Sequence, residues 1–280
     1  MAKSAKIKDA ILSVVLGILC LAWVYPIVMI LFNSLKKDTA ITTSTAFQLP
    51  NAESFAGLAN YVNALQSKGF LTAFWYSLVI TVTSVVLILI CCSMCAWFVT
   101  RVQTWWSKLC YFLFVFSMVV PFQMLMFTLS STADRLKLSN PYNICIIYLG
   151  FGAGLASFMF CGFMKSIPLE IEEAAMIDGC GDLRFYLTIL MPVSKPAIAT
   201  AFISSFVSMW NIYTWPLLVT KTNEMRTVQV AITMLESTEA ATSYGAVMAG
   251  TMTVLLPTAV IFLVFRKWII SGATAGAVKG

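Results

Sequence analysis

Long apolar runs constrain this chain more than any short motif does. Six stretches carry almost no charge: Ile11–Leu35, Leu71–Val99, Leu109–Leu129, Tyr142–Met164, Ile198–Val219 and Val247–Ile270. A helix needs about 20 apolar residues to cross the hydrocarbon of a bilayer, where every backbone polar group must be satisfied internally. Each run reaches that length. The runs are rich in Leu, Ile, Val, Phe and Met, without the polar/apolar alternation of a β-barrel strand. At 60% hydrophobic and 11% charged residues, the chain is too apolar for a soluble domain. The expected fold is therefore an all-α integral membrane protein, with six transmembrane helices in a single domain spanning residues 1–280. The first run is too long for a cleavable signal, and Asn33, Ser34 and Leu35 form no small-residue cleavage site, so it is expected to be retained.

Basic residues set the orientation. With the N-terminus in the cytoplasm, the inside set is Lys3, Lys6, Lys8, Arg101, Lys108, Lys165, Arg184, Lys195, Arg266, Lys267 and Lys279. The outside set is smaller: Lys36, Lys37, Lys68, Arg135, Lys137, Lys221 and Arg226. This arrangement predicts both termini in the cytoplasm. The net charge of +6 suits basic flanks lying on anionic lipid and calls for no nucleic acid.

Cysteine and histidine usage narrows the chemistry. Cys20, Cys91, Cys92, Cys95, Cys110, Cys145 and Cys161 lie in or at the ends of apolar runs, and Cys180 lies in a polar loop on the inside. None falls in an outside loop, the opposite of a disulfide framework. Cys92 and Cys95 form a lone CxxC in mid-helix, which reads as packing. The chain has no histidine, hence no HExxH metal site, no imidazole base and no serine–histidine triad. No catalytic or metal residue is expected. There is also no GxxxxGK[ST] loop for nucleotide.

The longest polar interruption in the second half is Ser166–Pro196, which holds five of the twelve acids: Glu170, Glu172, Glu173, Asp178 and Asp182. Pro168 suits a first helical turn, and the glutamates suit a helix N-terminus. Ala174 and Ala175 are strong helix formers of little bulk. Gly179 and Gly181 are expected to take positive φ and stop the helix. Asp182 is expected to cap a second short helix through Phe185, Tyr186, Ile189 and Leu190, with Pro192 ending it. The product is a thin helix–turn–helix that another protein can grip; the plainer reading is a solvated amphipathic loop.

Other signals are weaker. Thr200, Ser204, Ser208, Asn211 and Thr214 recur at helical spacing and are expected on one face of the fifth helix. One reading is a polar stripe lining a translocation path, with Trp210, Tyr213 and Trp215 offering flat faces to a ligand. The other is a small-residue seam with an aromatic interfacial belt. Gly150 and Gly154 form a GxxxG that suits close helix packing. Residues 36–70 read as an outside loop, in which residues 51–66 hold a short amphipathic helix around Phe55, Leu58, Tyr61 and Leu65. Residues 220–245 read as a second, polar outside loop. Pro121 lies within the third helix.

The central loop carries a spaced motif: Glu173-Ala174-Ala175, three residues, Gly179, nine residues, Ile189, one residue, Met191-Pro192. It resembles the EAA signature of binding-protein-dependent ABC importer permeases, with Met191 where leucine is usual, a nearly volume-conserving change. The segment from Trp210-Asn211 to Trp215-Pro216-Leu217, the six-run layout and the SGATAGAVKG ending are similar to the shorter permease subunit of maltose-type carbohydrate importers. The resemblance implies a type I importer fold in a prokaryotic plasma membrane, and uptake of a sugar or oligosaccharide by alternating access. It implies ATPase-coupling roles for Glu172, Glu173, Ala174, Ala175, Asp178, Gly179, Ile189 and Pro192. The implied partners are a longer sister permease, two ATPase subunits that hold the ATP and Mg, and an extracytoplasmic solute-binding protein that meets the 221–244 loop. Substrate contacts would then lie mostly on the sister subunit. The same resemblance leaves glycerol phosphate or another small polar solute as an alternative cargo. An ATPase-independent secondary transporter would favour carboxylates inside the apolar runs, and every Asp and Glu lies outside them.

Overall fold

The computed structural model describes residues 2–67, 69–140, 142–219, 226–236 and 243–277. Apart from an isolated bridge between Lys36 and Phe55, the regular elements among them are helices. In order these are α1 (Ala2–Ser34), α2 (Asp38–Thr43), α3 (Ala59–Gln66), α4 (Phe70–Arg101), α5 (Trp105–Val119), α6 (Phe122–Arg135), α7 (Ile144–Met164), α8 (Glu170–Ile177), α9 (Asp182–Val193), α10 (Lys195–Trp210), α11 (Thr214–Val219), α12 (Val228–Glu236) and α13 (Tyr244–Ala277).

Four of the apolar runs are unbroken helices long enough to span a bilayer: Lys8–Ser34, Phe70–Arg101, Ile144–Met164 and Tyr244–Trp268. Pro26 and Pro257 lie inside α1 and α13 without ending them. The other two runs are helical but broken. The third run breaks at Pro121, where α5 and α6 meet at 109°. Proline excludes its predecessor from the α region, and Val120 sits at ψ 116. The fifth run is helical only to Trp210 and restarts at Thr214. The 16 residues of α10 rise about 24 Å, short of a hydrocarbon core of about 30 Å. Counting bent pairs as spans gives up to six.

Contacts divide the chain into two compact units, residues 1–71 with 231–255, and residues 72–230 with 256–280. In the first unit, α3 packs through Asn60 and Ala64, with Tyr61 alongside, against the small residues Ala246 and Ala249. The helix starts at Ala59, so Phe55 and Leu58 of the expected helix precede it and are exposed, while Tyr61 packs. The small-residue surface allows the approach, because any side chain at Gly245 would collide with Asn60. Asp38, at the start of α2, accepts hydrogen bonds from Ser243 Oγ and Gly245 N, both at 2.7 Å.

In the second unit, α7 packs on α5 and α10. The GxxxG pair does not act as a pair. A Cβ on Gly154 would lie 2.7 Å from the Phe114 carbonyl oxygen of α5, whereas Gly150 faces open space. Gly152 makes the other close approach, against Ile88 of α4. Within the segment 220–245, the described residues include a helix. This helix is α12, whose Val228 and Val230 are buried, and Val228 N donates to Ser77 Oγ at 2.7 Å. Residues 220–225 and 237–242 lie outside the described residues.

This packing separates the two glycines experimentally. Gly154→Ala forces α5 away from α7 and should cost about 1–3 kcal/mol, the range for overpacking. Gly150→Ala should be neutral or stabilising by up to about 1 kcal/mol from helix propensity. Thermal unfolding of the two purified variants in detergent measures the difference.

Candidate functional site

The polar loop folds as two short helices joined by a tight turn. α8 carries Glu170, Glu172 and Glu173 in its first turn, where the dipole favours them. It ends at Asp178, and Gly179 takes φ +74, a left-handed conformation that glycine adopts without strain. Gly181 does not share that role: it is extended, at φ −73 and ψ 159, and occupies the N-cap of α9. Asp182 is therefore the first helical residue and makes no side-chain cap.

α9 also departs from expectation at its end. Pro192 lies inside the helix. The turn before it widens to a π-helix over Tyr186–Leu190, in which Met191 N donates to Tyr186 O. A proline removes a donor and crowds the carbonyl four residues back; the wider turn shifts the register and accommodates it. The chain bends by 79° only after Val193, at Ser194, where α10 begins.

Both short helices are seated on α4. Three residues spaced by four on one face of α4 make the contacts. Ser93 Oγ hydrogen-bonds Tyr186 OH at 2.6 Å. The Trp97 ring lies 5.7 Å from Phe185 and 6.1 Å from Tyr186. Arg101 Nε donates to Glu172 Oε1 at 2.6 Å, and Arg101 Nη2 donates to Ile167 O at 3.0 Å. Glu172 is 4% exposed, so its charge is matched almost entirely by one guanidinium. None of Ser93, Trp97 and Arg101 is in the motif, and the sequence reading missed this role for them. The signal was present as a polar–aromatic–basic series at i, i+4 and i+8.

The seat divides the residues of the motif. Glu172, which pairs with Arg101 of α4, and Ala175 are buried, whereas Glu173, Ala174, Asp178 and Gly179 are exposed. Ile189 is half-buried and Pro192 is exposed. Beside the outward residues lie Met176, Ile177 and Leu183, 60%, 86% and 66% exposed. Such a cluster, on a polar loop outside the apolar runs, is a surface for another protein.

The fifth-run stripe is split by the break after Trp210. Ser204 is half-buried, and Ser208, Asn211, Tyr213 and Thr214 are exposed, with Thr214 on the separate helix α11. Asn211 caps α10, its Nδ2 donating to Val207 O at 2.9 Å. Trp210 and Trp215 are 1% and 0% exposed. Trp210 stacks on Phe206 and meets Phe74 edge-on, and Trp215 lies edge-on to Phe122 and Phe151. Neither tryptophan presents a face outside the chain. Among the described residues no cluster of acids and cysteines forms a metal site.

Apolar helices long enough to cross a membrane, with a helix–glycine–helix exposed on one polar loop, define a membrane protein with a docking surface. Residues 88–270 match the family described as "Binding-protein-dependent transport system inner membrane component". The chain is 32% identical over 262 residues to a probable permease for starch degradation products from Thermoanaerobacterium thermosulfurigenes, with 94% of each chain covered. It is 30% identical over 257 residues to a multiple sugar-binding transport system permease of Streptococcus mutans, with 91% of each covered. It also resembles a chain in the crystal structure of a bacterial ABC transporter involved in the import of the acidic polysaccharide alginate. That match has a TM-score of 0.82 at 26% identity, covering 94% of this chain and 97% of the other. The chain belongs to the binding-protein-dependent ABC importer permeases, in their carbohydrate-uptake group. It is a multi-pass protein of the inner or plasma membrane, and its ATPase resides on a partner chain.

The ion pair makes a direct prediction. Removing one partner of a buried pair strands the other charge, at a typical cost of about 3–5 kcal/mol. Arg101→Leu and Glu172→Leu should each lower the unfolding temperature of the purified importer and its rate of ATP-dependent uptake. The double exchange Arg101→Glu with Glu172→Arg should recover part of both losses. Additive losses in the double variant would show that the two side chains do not act as a pair.

Proposed function

We propose that this sugar-importer permease works by alternating access, and that its 166–196 loop is the element through which the ATPase drives it. In this reading the chain forms one permease domain beside a longer sister permease. Two ATPase subunits, which hold the ATP and Mg, sit on the cytoplasmic side, and a solute-binding protein delivers the cargo to the opposite face, where residues 220–245 meet it. Both termini are then cytoplasmic. Arg101, Trp105 and Trp106 mark the same end of the molecule as the loop, because Arg101 touches it. The cargo class is a sugar or oligosaccharide, as the names of the relatives suggest for those proteins.

The observation that carries the coupling role is the outward face of α8. Glu173, Ala174, Asp178 and Gly179 are exposed together with Met176 and Ile177, on a helix whose opposite face is fixed to α4. A docked ATPase that changes shape moves α8, and α4 follows through Arg101. Ligand-driven coupling requires that docking favour one arrangement over another; a helix fixed on one face and free on the other provides this. Ser204, Ser208, Asn211 and Tyr213 line the path on this subunit, with Trp210 and Trp215 bracing that segment from within.

Glu173→Lys reverses an exposed charge, and Gly179→Val forces a β-branched residue into positive φ. Both variants should insert at normal levels and lose most uptake, while ATP hydrolysis by the complex no longer responds to the loaded binding protein. Paired uptake and ATPase assays in proteoliposomes test this, and unchanged uptake in both variants would overturn the coupling role.

A further inference from the structure

The end of α4, the start of α5 and the end of α7 meet around a cleft of about 180 Å³, lined in part by Thr100, Gln103, Ser107, Lys108, Tyr111 and Lys165. Arg101 of α4 touches the 166–196 loop, so the cleft lies at the end of the molecule that carries that loop. Its two lysines come from different helices, and both are exposed. Lys108 stands in the first turn of α5. Lys165 follows α7, and its Nζ reaches across to α5, 5.4 Å from the centroid of the Tyr111 ring.

The nearby hydroxyls are already committed as donors. Thr100 Oγ1 donates to Ala96 O at 2.6 Å, and Ser107 Oγ to Val99 O at 2.9 Å. The lysines are not committed in that way. The ion pair among the described residues is Arg101–Glu172, and no Asp or Glu is among the residues that line the cleft. Two accessible ammonium groups on one cleft, with no acid beside them, attract an anion.

A second observation says what carries that anion. Lys108, Phe112 and Phe116 recur at four-residue spacing and so form one stripe along α5. All three are exposed, Phe112 and Phe116 at 59% and 52%, and the two rings stack at 5.9 Å. The stripe is about 12 Å long, with its charge at the end beside the polar loop and its rings further into the apolar run. Trp105 and Trp106, both exposed, precede Lys108, and aromatic side chains beside basic ones mark the membrane–water boundary. A soluble phosphate would use the lysines and leave the rings bare. A phospholipid uses both.

We propose that this cleft binds the phosphate of an anionic phospholipid, with Lys108 and Lys165 as its counter-charges and a chain of the lipid lying along Phe112 and Phe116. A headgroup held there bridges α5 and α7 beside the helix that seats the polar loop. The site does not depend on the coupling role of that loop, and direct labelling reads it out.

The test is photo-labelling of the purified importer complex in proteoliposomes. Phosphatidylglycerol and phosphatidylcholine, each with the same photoreactive group on one chain, are compared at equal concentration, and the labelled peptides are mapped. Phosphatidylglycerol should label residues 104–116 about tenfold more than phosphatidylcholine, within what two lysines supply at an anionic headgroup. Lys108→Gln with Lys165→Gln should abolish that preference, and the double exchange to arginine should keep it. Lys195→Gln removes a positive charge from the same end of the chain, outside the cleft, and should leave the preference intact. Inorganic phosphate in excess should not displace the lipid. The wild-type comparison of the two lipids decides the matter alone if the glutamine variant lowers the folded yield. Equal labelling by the two lipids, or a preference that survives the double glutamine variant, would overturn the site. So would an equal loss in Lys195→Gln, which would show diffuse surface charge only, or displacement by inorganic phosphate, which would make the occupant a soluble anion.

Discussion

The bond between Arg101 and Glu172 is the contact on which the functional half of this chain depends. Glu172 sits in the first turn of α8, where the helix dipole favours a carboxylate, but α8 is only eight residues long. A helix that short is not stable by itself in water. Its position is therefore set by what it touches, and the strongest contact is a nearly buried charge pair that also holds the Ile167 carbonyl. Trp97 and Ser93 extend the same seat one and two turns back along α4. A transmembrane helix and a short polar helix are thus joined by a largely buried charge pair, while the opposite face of the polar helix is exposed.

What the sequence made legible follows from how local each feature is. Apolar length is local, and the six runs were found where the helices lie. The EAA spacing is local too, and α8 and the Gly179 turn formed as read. Arg101 and Glu172 are 71 residues apart, and no periodicity within either segment names the other. Proline shows the same limit. Pro26 and Pro257 stay inside helices, Pro121 breaks one at 109°, and Pro192 is absorbed by a π-turn. The residue is the same in each case, and its identity alone does not choose among these outcomes. The fifth-run stripe was drawn on a helix assumed to continue past Asn211, and the side chain of Asn211 caps that helix instead.

The apolar surface left over is consistent with a chain that works in company. The most apolar window of α1 has no buried residue within its own chain, and Leu21 and Trp23 are 73% and 78% exposed. A helix apolar on all sides, with no packed face of its own, is covered in the membrane by lipid or by another helix. The exposed residues of α8 are a different case, because they lie on a polar loop with acids between them. They are exposed in this chain, beside the acids Glu173 and Asp178.

The most direct measurement places a photo-crosslinking amino acid at single positions around α8 in the assembled importer. Positions 173 and 177, which are exposed, should crosslink to the ATPase subunit, and the buried positions 172 and 175 should not. Crosslinks to the ATPase from 172 or 175, with none from 177, would contradict the seating of this helix and the route by which it moves the membrane helices.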